Sequence, residues 1–145
     1  MKKLMTLAVC LFAFIGLTKA DDDKPITVEQ LPQKAQQFIK QYFADKTVTL
    51  AKMERDFMDK SYEVLFSNGE KVEFDKNGEW KDVDCKQSVV PADIIPQAIK
   101  DHVAKTYPDA KILQIDRDTR GYEVQLNNRL ELKYNTEFIL TDIDD

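Results

Sequence analysis

The sequence is poor in the residues that build metal centres, disulfides and phosphate loops. It holds one histidine, two cysteines and four glycines among 145 residues. Structural zinc sites draw their ligands mainly from histidine and cysteine, and phosphate loops need closely spaced glycines, so neither kind of site is predicted. No nucleophile–base pair can be assembled either. We therefore expect a protein that is not an enzyme and that has no metal or cofactor site.

Long apolar runs are also scarce, and the one present lies at the N-terminus. Lysines precede the run Leu4–Leu17, and Thr18 and Ala20 have the small side chains of a cleavage site. The run is shorter than the roughly 20 apolar residues of a membrane anchor. We predict a signal peptide over 1–20 and a mature chain that begins near Asp21.

Cleavage would leave one cysteine and a more acidic chain. Cys10 departs with the leader, so Cys85 is predicted to be a free thiol. Lipidation at Cys10 is a minor alternative, since it would leave a hydrophobic region below the usual minimum of about seven residues. Three of 21 basic residues and none of the 26 acidic ones are lost, which changes the formal net charge from −5 to −8. Nucleic acid and direct membrane binding are therefore not expected.

The remaining sequence repeats itself. A shift of 60 residues places Tyr62–Asp84 on Tyr122–Asp144, with Tyr-Glu-Val matched at the start of both segments. A shift of 64 places Leu31-Pro32 on Ile95-Pro96. A repeat of this length is typical of one supersecondary unit that occurs twice.

Each unit changes its hydrophobic period once. Apolar residues recur at helical spacing from Leu31 to Phe43, and after Val48 they alternate with polar ones, as in half-buried strands joined by Asn-Gly turns. The predicted fold is α+β, a tandem repeat (21–86 and 87–145) of one helix followed by a four-stranded antiparallel meander. The helices pack on one face of the sheet, and the units join edge to edge or pack closely to form one compact unit.

The doubled Leu/Ile-Pro helix start, the Tyr-Glu-Val strands and the hairpin Asp75–Trp80 resemble the PepSY-like periplasmic proteins of Bacteroides-type bacteria. That family is related in fold to the β-lactamase inhibitor protein. The resemblance implies a periplasmic or secreted protein with a long antiparallel sheet whose helix-free face is open. The inhibitor relatives use such a face to grip a protein partner, and PepSY domains have been proposed to restrain peptidases, whereas other members have no established activity. The matching motifs are architectural, so they do not themselves carry a function.

The alternation assigns mainly charged side chains to the open face, where an inhibitor would need aromatic anchors. One loop departs from this pattern, because Asp56, Phe57, Met58 and Asp59 put two large apolar side chains at a predicted hairpin tip. The tip is either a partner contact or a segment in which Phe57 folds back over the sheet edge, and we favour the second interpretation. Trp80 is likewise either a contact or a core residue.

Two isolated features are assigned structural roles. The segment 75–78 resembles the start of a calcium loop, but Lys86 stands where the bidentate glutamate belongs, so we predict a hairpin turn. His102 occupies the helix position of Phe38, which favours packing over catalysis.

The functional prediction is an exported, non-enzymatic binding module for a periplasmic protein or peptide, with an inhibitor-like action as one form. The alternative is a structural or envelope-stress accessory protein without a dedicated ligand, which the charged sheet face favours.

Overall fold

The computed structural model describes residues 23–57 and 59–145. The predicted leader 1–20, the expected mature start at Asp21 and Met58 lie outside the described residues. Within the described part of the chain, neither helix has the length and apolar composition needed to cross a bilayer.

The described residues form two α-helices, two short 3-10 helices (Val28–Gln30 and Ala92–Ile94) and one sheet, which confirms the α+β class. The α-helices are α1 (Gln33–Tyr42) and α2 (Gln97–Thr106). The strands are β1 (Lys24–Ile26), β2 (Val48–Arg55), β3 (Lys60–Phe66), β4 (Lys71–Asp75), β5 (Trp80–Asp84), β6 (Ile112–Asp118), β7 (Gly121–Leu126), β8 (Glu131–Asn135) and β9 (Leu140–Asp144).

The nine strands pair antiparallel in sequence order, from β1 at one edge to β9 at the other. Val83 of β5 lies opposite Ile115 of β6, so the first half (23–86) and the second half (87–145) join edge to edge. The predicted meanders contain eight strands, and β1 is the addition. Alternation does not predict β1, because it has three residues and its central Pro25 cannot donate to the ladder.

Both helices cover the same face of the sheet, as predicted. Each begins directly after a proline, whose missing N–H costs nothing at a helix start. Ala35 and Ile39 of α1 and Ile99 and Val103 of α2 are buried in one core with the sheet. Phe38 is only partly buried beside that core. The buried sheet residues include Val64, Val72, Phe74, Val83, Ile115, Val124, Leu132 and Tyr134.

The segment 75–78 is a hairpin turn. Asp75 Oδ1 accepts the backbone N–H groups of Asn77 at 2.8 Å and Glu79 at 3.0 Å. Gly78 has a φ of 87°, and an added Cβ there would lie 2.9 Å from the Cβ of Pro32. The turn therefore needs glycine for its conformation and for its close approach to the start of α1.

Candidate functional site

The hairpin formed by β2 and β3 ends in a tip, residues 56–59, in which Asp56, Phe57 and Asp59 are exposed. Arg55 and Lys60 are its last paired residues, and the Asp56 N–H donates to the Asp59 carbonyl at 2.8 Å. Phe57 is 94% exposed. The interpretation in which Phe57 folds back over the sheet edge is therefore wrong.

The tip is longer than the equivalent tip of the second half. Glu54 pairs with Ser61 across the first hairpin, and Asp118 pairs with Gly121 across the hairpin of β6 and β7. Two residues connect Asp118 to Gly121 in the second hairpin. In the first hairpin, six residues connect Glu54 to Ser61, namely the pair Arg55 and Lys60 and the four residues of the tip. Because the shorter connection joins the same kind of strands, closure of the sheet does not require the tip.

Carboxylates fix the backbone on both sides of the exposed ring. Asp56 Oδ1 accepts the N–H of Phe57 at 2.6 Å, and Asp59 Oδ1 accepts the N–H of Lys60 at 3.1 Å. Lys76 Nζ lies 4.0 Å from Asp59 Oδ1. The tip thus presents one aromatic side chain between two acidic ones.

Trp80, the fifth predicted contact residue, lies in the core and not with the tip. It is 9% exposed, and the guanidinium carbon of Arg117 sits 3.8 Å from its ring centroid. Arg117 Nε also donates to the Trp80 carbonyl at 2.8 Å. This cation–π contact and hydrogen bond fasten β5 to β6, so we assign Trp80 to packing and leave it out of the candidate surface.

A row of five acidic residues crosses the open face of the sheet. The pairing places Glu63 opposite Glu73, Glu73 opposite Asp82, Asp82 opposite Asp116, and Asp116 opposite Glu123. Like charges directly opposite one another destabilise a sheet. Sequence reasoning missed this row, because only the register of β5 against β6 brings Asp82 and Asp116 together.

Asp116, in the middle of the row, titrates near neutral pH. Burial and, to a smaller extent, the charges of Asp82 and Glu123 together raise the pKa of Asp116 to about 7. Burial also raises the pKa of Asp82, against the lowering effect of a hydrogen bond from Gln114 Nε2 at 2.9 Å. A concave region of about 600 Å³ lies over these side chains.

His102 and Cys85 have structural surroundings. His102 packs edge to face on Tyr134 with ring centroids 5.5 Å apart, which confirms the packing role. Its Nδ1 also lies at hydrogen-bond distance, 2.7 Å, from the Tyr134 hydroxyl, a contact that the sequence does not reveal. Cys85 is buried and has no disulfide partner among the described residues, and burial raises the pKa of its thiol to about 12, so it stays protonated at neutral pH.

The chain matches a family model and several solved structures. The model described as "Putative beta-lactamase-inhibitor-like, PepSY-like" matches residues 60–142. A "putative calcium-regulated periplasmic protein" from Bacteroides thetaiotaomicron is 62% identical over 85% of this chain and 97% of its own, with a TM-score of 0.83. A "putative periplasmic protein" of the DUF2874 family from Bacteroides vulgatus is 57% identical over 88% of this chain and 100% of its own, with a TM-score of 0.85. Another Bacteroides vulgatus protein, described as of unknown function, is 33% identical with a TM-score of 0.81, over 87% of this chain and 100% of its own.

The description of the first relative raises the question of a calcium site. Calcium takes six to eight oxygen ligands from converging carboxylates and carbonyls. Among residues 23–57 and 59–145, no three acidic, histidine or cysteine side chains are arranged to hold a metal ion. Asp75 Oδ1, the most calcium-like oxygen in the sequence pattern, already accepts two backbone N–H groups. The described part of the chain therefore does not offer a fit for calcium.

The comparison with curated proteins gives no match. These three solved relatives are described as periplasmic, which confirms the periplasmic location expected from the sequence. The family model spans more than half of the chain, and two relatives share more than half of their residues with it. The chain therefore belongs to the PepSY-like family.

Proposed function

We propose that the protein is a non-enzymatic binding protein of the periplasm and that the tip, residues 56–59, contacts a partner protein. The observation that carries this proposal is Phe57, which is 94% exposed on a hairpin extension that the equivalent hairpin lacks. A phenylalanine left in water forgoes roughly 1.5–3 kcal/mol of burial energy. Stability of the fold does not account for it, and a partner that buries the ring does.

The chemistry of the tip favours a particular kind of partner surface. A single aromatic anchor gains most when it enters a preformed apolar pocket. The carboxylates of Asp56 and Asp59 flank the ring and favour a basic rim around that pocket. Nucleic acid and bare membrane do not offer such a pocket, and the family description, with its reference to an inhibitor, supports a protein partner.

We also propose that 21–86 and 87–145 are two copies of one helix and four strands, exported by the leader 1–20. Lys71 pairs with Asp84 in the first half, and Glu131 pairs with Asp144 in the second, a uniform shift of 60 residues. Both strand pairs shift register at the same place. On this proposal, the tip is an addition to one copy.

The experiment is affinity capture from periplasmic extract of the native host, quantified by mass spectrometry. The bait is the mature protein, compared with Phe57→Ser and with Thr119→Ser in the shorter tip. We expect one protein to be enriched by the parent, to fall at least about tenfold with Phe57→Ser and to stay unchanged with Thr119→Ser. Melting temperatures of the three baits should agree, because both positions are exposed.

Two outcomes would contradict the proposal. Equal capture by the parent and by Phe57→Ser would move the contact away from the tip. A bait that enriches nothing would favour the accessory protein without a dedicated ligand.

A further inference from the structure

The outer edge of β9 is open. Among strands formed by residues 23–57 and 59–145, none pairs with that edge. Four of its five residues are exposed, including Ile143 at 47% on the helix side of the sheet. Asp142 and Asp144 are exposed on the opposite side.

Strand β5, which corresponds to β9 in the first half, shows how such an edge pairs with a further strand. Ile143 pairs with Leu132 as Val83 pairs with Val72, so β9 lies against β8 as β5 lies against β4. Val83 is fully buried, because β6 covers the edge of β5 and places Ile115 opposite it. The edge of β5 also bonds beyond the strand, since the Cys85 N–H donates to the Leu113 carbonyl at 2.9 Å.

We propose that the edge of β9 binds an extended, antiparallel segment of a partner protein in which an apolar residue is flanked by basic ones. The apolar residue would lie opposite Ile143, as Ile115 lies opposite Val83. The basic residues would lie opposite Asp142 and Asp144, where cross-strand pairs of opposite charge stabilise a sheet. Main-chain hydrogen bonds to the open edge supply the remaining affinity, as in other cases of strand addition. This surface is distinct from the tip and does not depend on it.

A second copy of the chain fits this edge poorly. Two β9 strands paired around Ile143 would place Asp142 of one copy opposite Asp144 of the other, and like charges in that position repel. The opposite edge of the sheet, β1, is three residues long, and its Pro25 has no N–H to donate. The acidic edge therefore resists self-pairing while it remains complementary to a cationic strand.

The test uses a synthetic peptide, acetyl-Lys-Val-Lys-Ile-Lys-Val-Lys-amide, titrated into the isotope-labelled mature protein and followed by amide NMR. Its control is the same peptide with D-residues at alternate positions, which keeps the charge but cannot pair as a strand. The test variant is Asp142→Lys/Asp144→Lys. The matched variant is Asp93→Lys/Asp109→Lys, which changes the charge equally at exposed sites on the helix connections.

We expect saturable shifts confined to the amides of β9 and β8, and slower hydrogen exchange in β9. Affinity should fall at least about tenfold in the β9 variant and stay within about twofold in the matched variant. Equal binding of the D-residue peptide would overturn the proposal. So would shifts centred on the acidic row across β3 to β7, concentration-dependent dimerisation through β9, or no binding. None of these results alters the capture of a partner by Phe57, so the two proposals fail separately.

Discussion

The two halves of the sheet share a pairing register but carry opposite charges at one equivalent position. In the first half Lys52 lies opposite Glu63, with Nζ 3.4 Å from its carboxylate and 3.3 Å from Glu54. In the second half the residue opposite Glu123 is Asp116. Asp116 also lies beside Asp82, because β5 and β6 join the halves there. Glu63 therefore has a lysine opposite it, whereas Glu123 at the equivalent position has a second carboxylate, and the sheet tolerates this repulsion where β5 and β6 meet.

The core also differs between the two halves at one equivalent aromatic pair, which is apolar in the first half and polar in the second. Phe38 packs edge to face on Phe74 with centroids 5.5 Å apart and an interplanar angle of 84°. His102 packs on Tyr134 with centroids 5.5 Å apart at 85°. The geometry is shared, while the second pair adds a hydrogen bond. The lesson is that the pairing register is common to both halves, whereas the chemistry at each register position is not.

The largest expected effect is a difference in stability between alanine variants of Val83 and Ile143, which occupy equivalent positions in β5 and β9. Val83→Ala should destabilise the protein by about 2–3 kcal/mol, because Val83 is fully buried between β4 and β6. Ile143→Ala should cost less than about 1 kcal/mol, since nearly half of that side chain is exposed. Urea unfolding of both variants measures the difference. Equal costs would show that β9 is covered in solution.

The next effect concerns the charge at the junction and its pH dependence. The pKa of Asp116 is raised from 3.8 to about 7, so the folded chain holds this proton more tightly than the unfolded chain does. The contribution of Asp116 to the free energy of unfolding is therefore largest below about pH 4, and it is lost as pH rises through about 7. Because Asp116 is partly exposed and screened, we expect a loss of about 1–2 kcal/mol between pH 5 and 8.

Two substitutions sharpen this comparison. Asp116→Asn should remove the loss and be more stable than the parent at pH 8. Asp116→Lys, which copies Lys52, should be at least as stable as Asp116→Asn, since it can pair with Asp82 and Glu123. Urea unfolding at pH 5 and pH 8 decides the matter, and a parent whose stability does not fall over this range would contradict the assigned pKa.

A smaller effect is expected at the aromatic pair of the second half. His102→Phe copies Phe38 but removes the partner of the buried Tyr134 hydroxyl, so we expect a loss of about 1–2 kcal/mol. The double variant His102→Phe/Tyr134→Phe copies both residues of the first half and should recover to within about 0.5 kcal/mol of the parent. A single variant as stable as the parent would show that the hydrogen bond contributes nothing.

The smallest effect is expected at the turn that resembles a calcium loop. Asn135 Oδ1 accepts the N–H groups of Glu137 at 2.9 Å and Ile139 at 3.0 Å, and Asp75 makes the same arrangement in its own turn. Because a neutral amide oxygen forms these bonds at Asn135, the turn does not need the charge of Asp75. Asp75→Asn should therefore change stability by less than about 0.5 kcal/mol. Neither calcium nor a chelator should move the melting temperature. A shift with calcium that disappears in Asp75→Asn would make the turn a metal site.

Local sequence patterns predicted most of the scaffold. The helical spacing from Leu31 to Phe43 and the alternation after Val48 determine which side chains face the core, and these signals lie within single elements. The acidic row could not be predicted, since Asp82 and Asp116 meet only through the register of β5 against β6. The exposure of Phe57 was also mispredicted, because sequence alone does not distinguish a ring that folds back from one that stands in solvent.

The claim that the tip contacts a partner is tested most directly by photo-crosslinking in the periplasm of the native host. A photoreactive phenylalanine analogue replaces Phe57 in one strain and Thr119 in another. We expect a defined protein adduct from position 57 and none from position 119. The untagged parent protein should compete with formation of the position 57 adduct, whereas a variant that lacks residues 56–59 should not. In that competitor Arg55 and Lys60 take the places of Thr119 and Arg120, so the sheet can still close. Absence of an adduct at position 57, or the same adduct at both positions, would contradict the account.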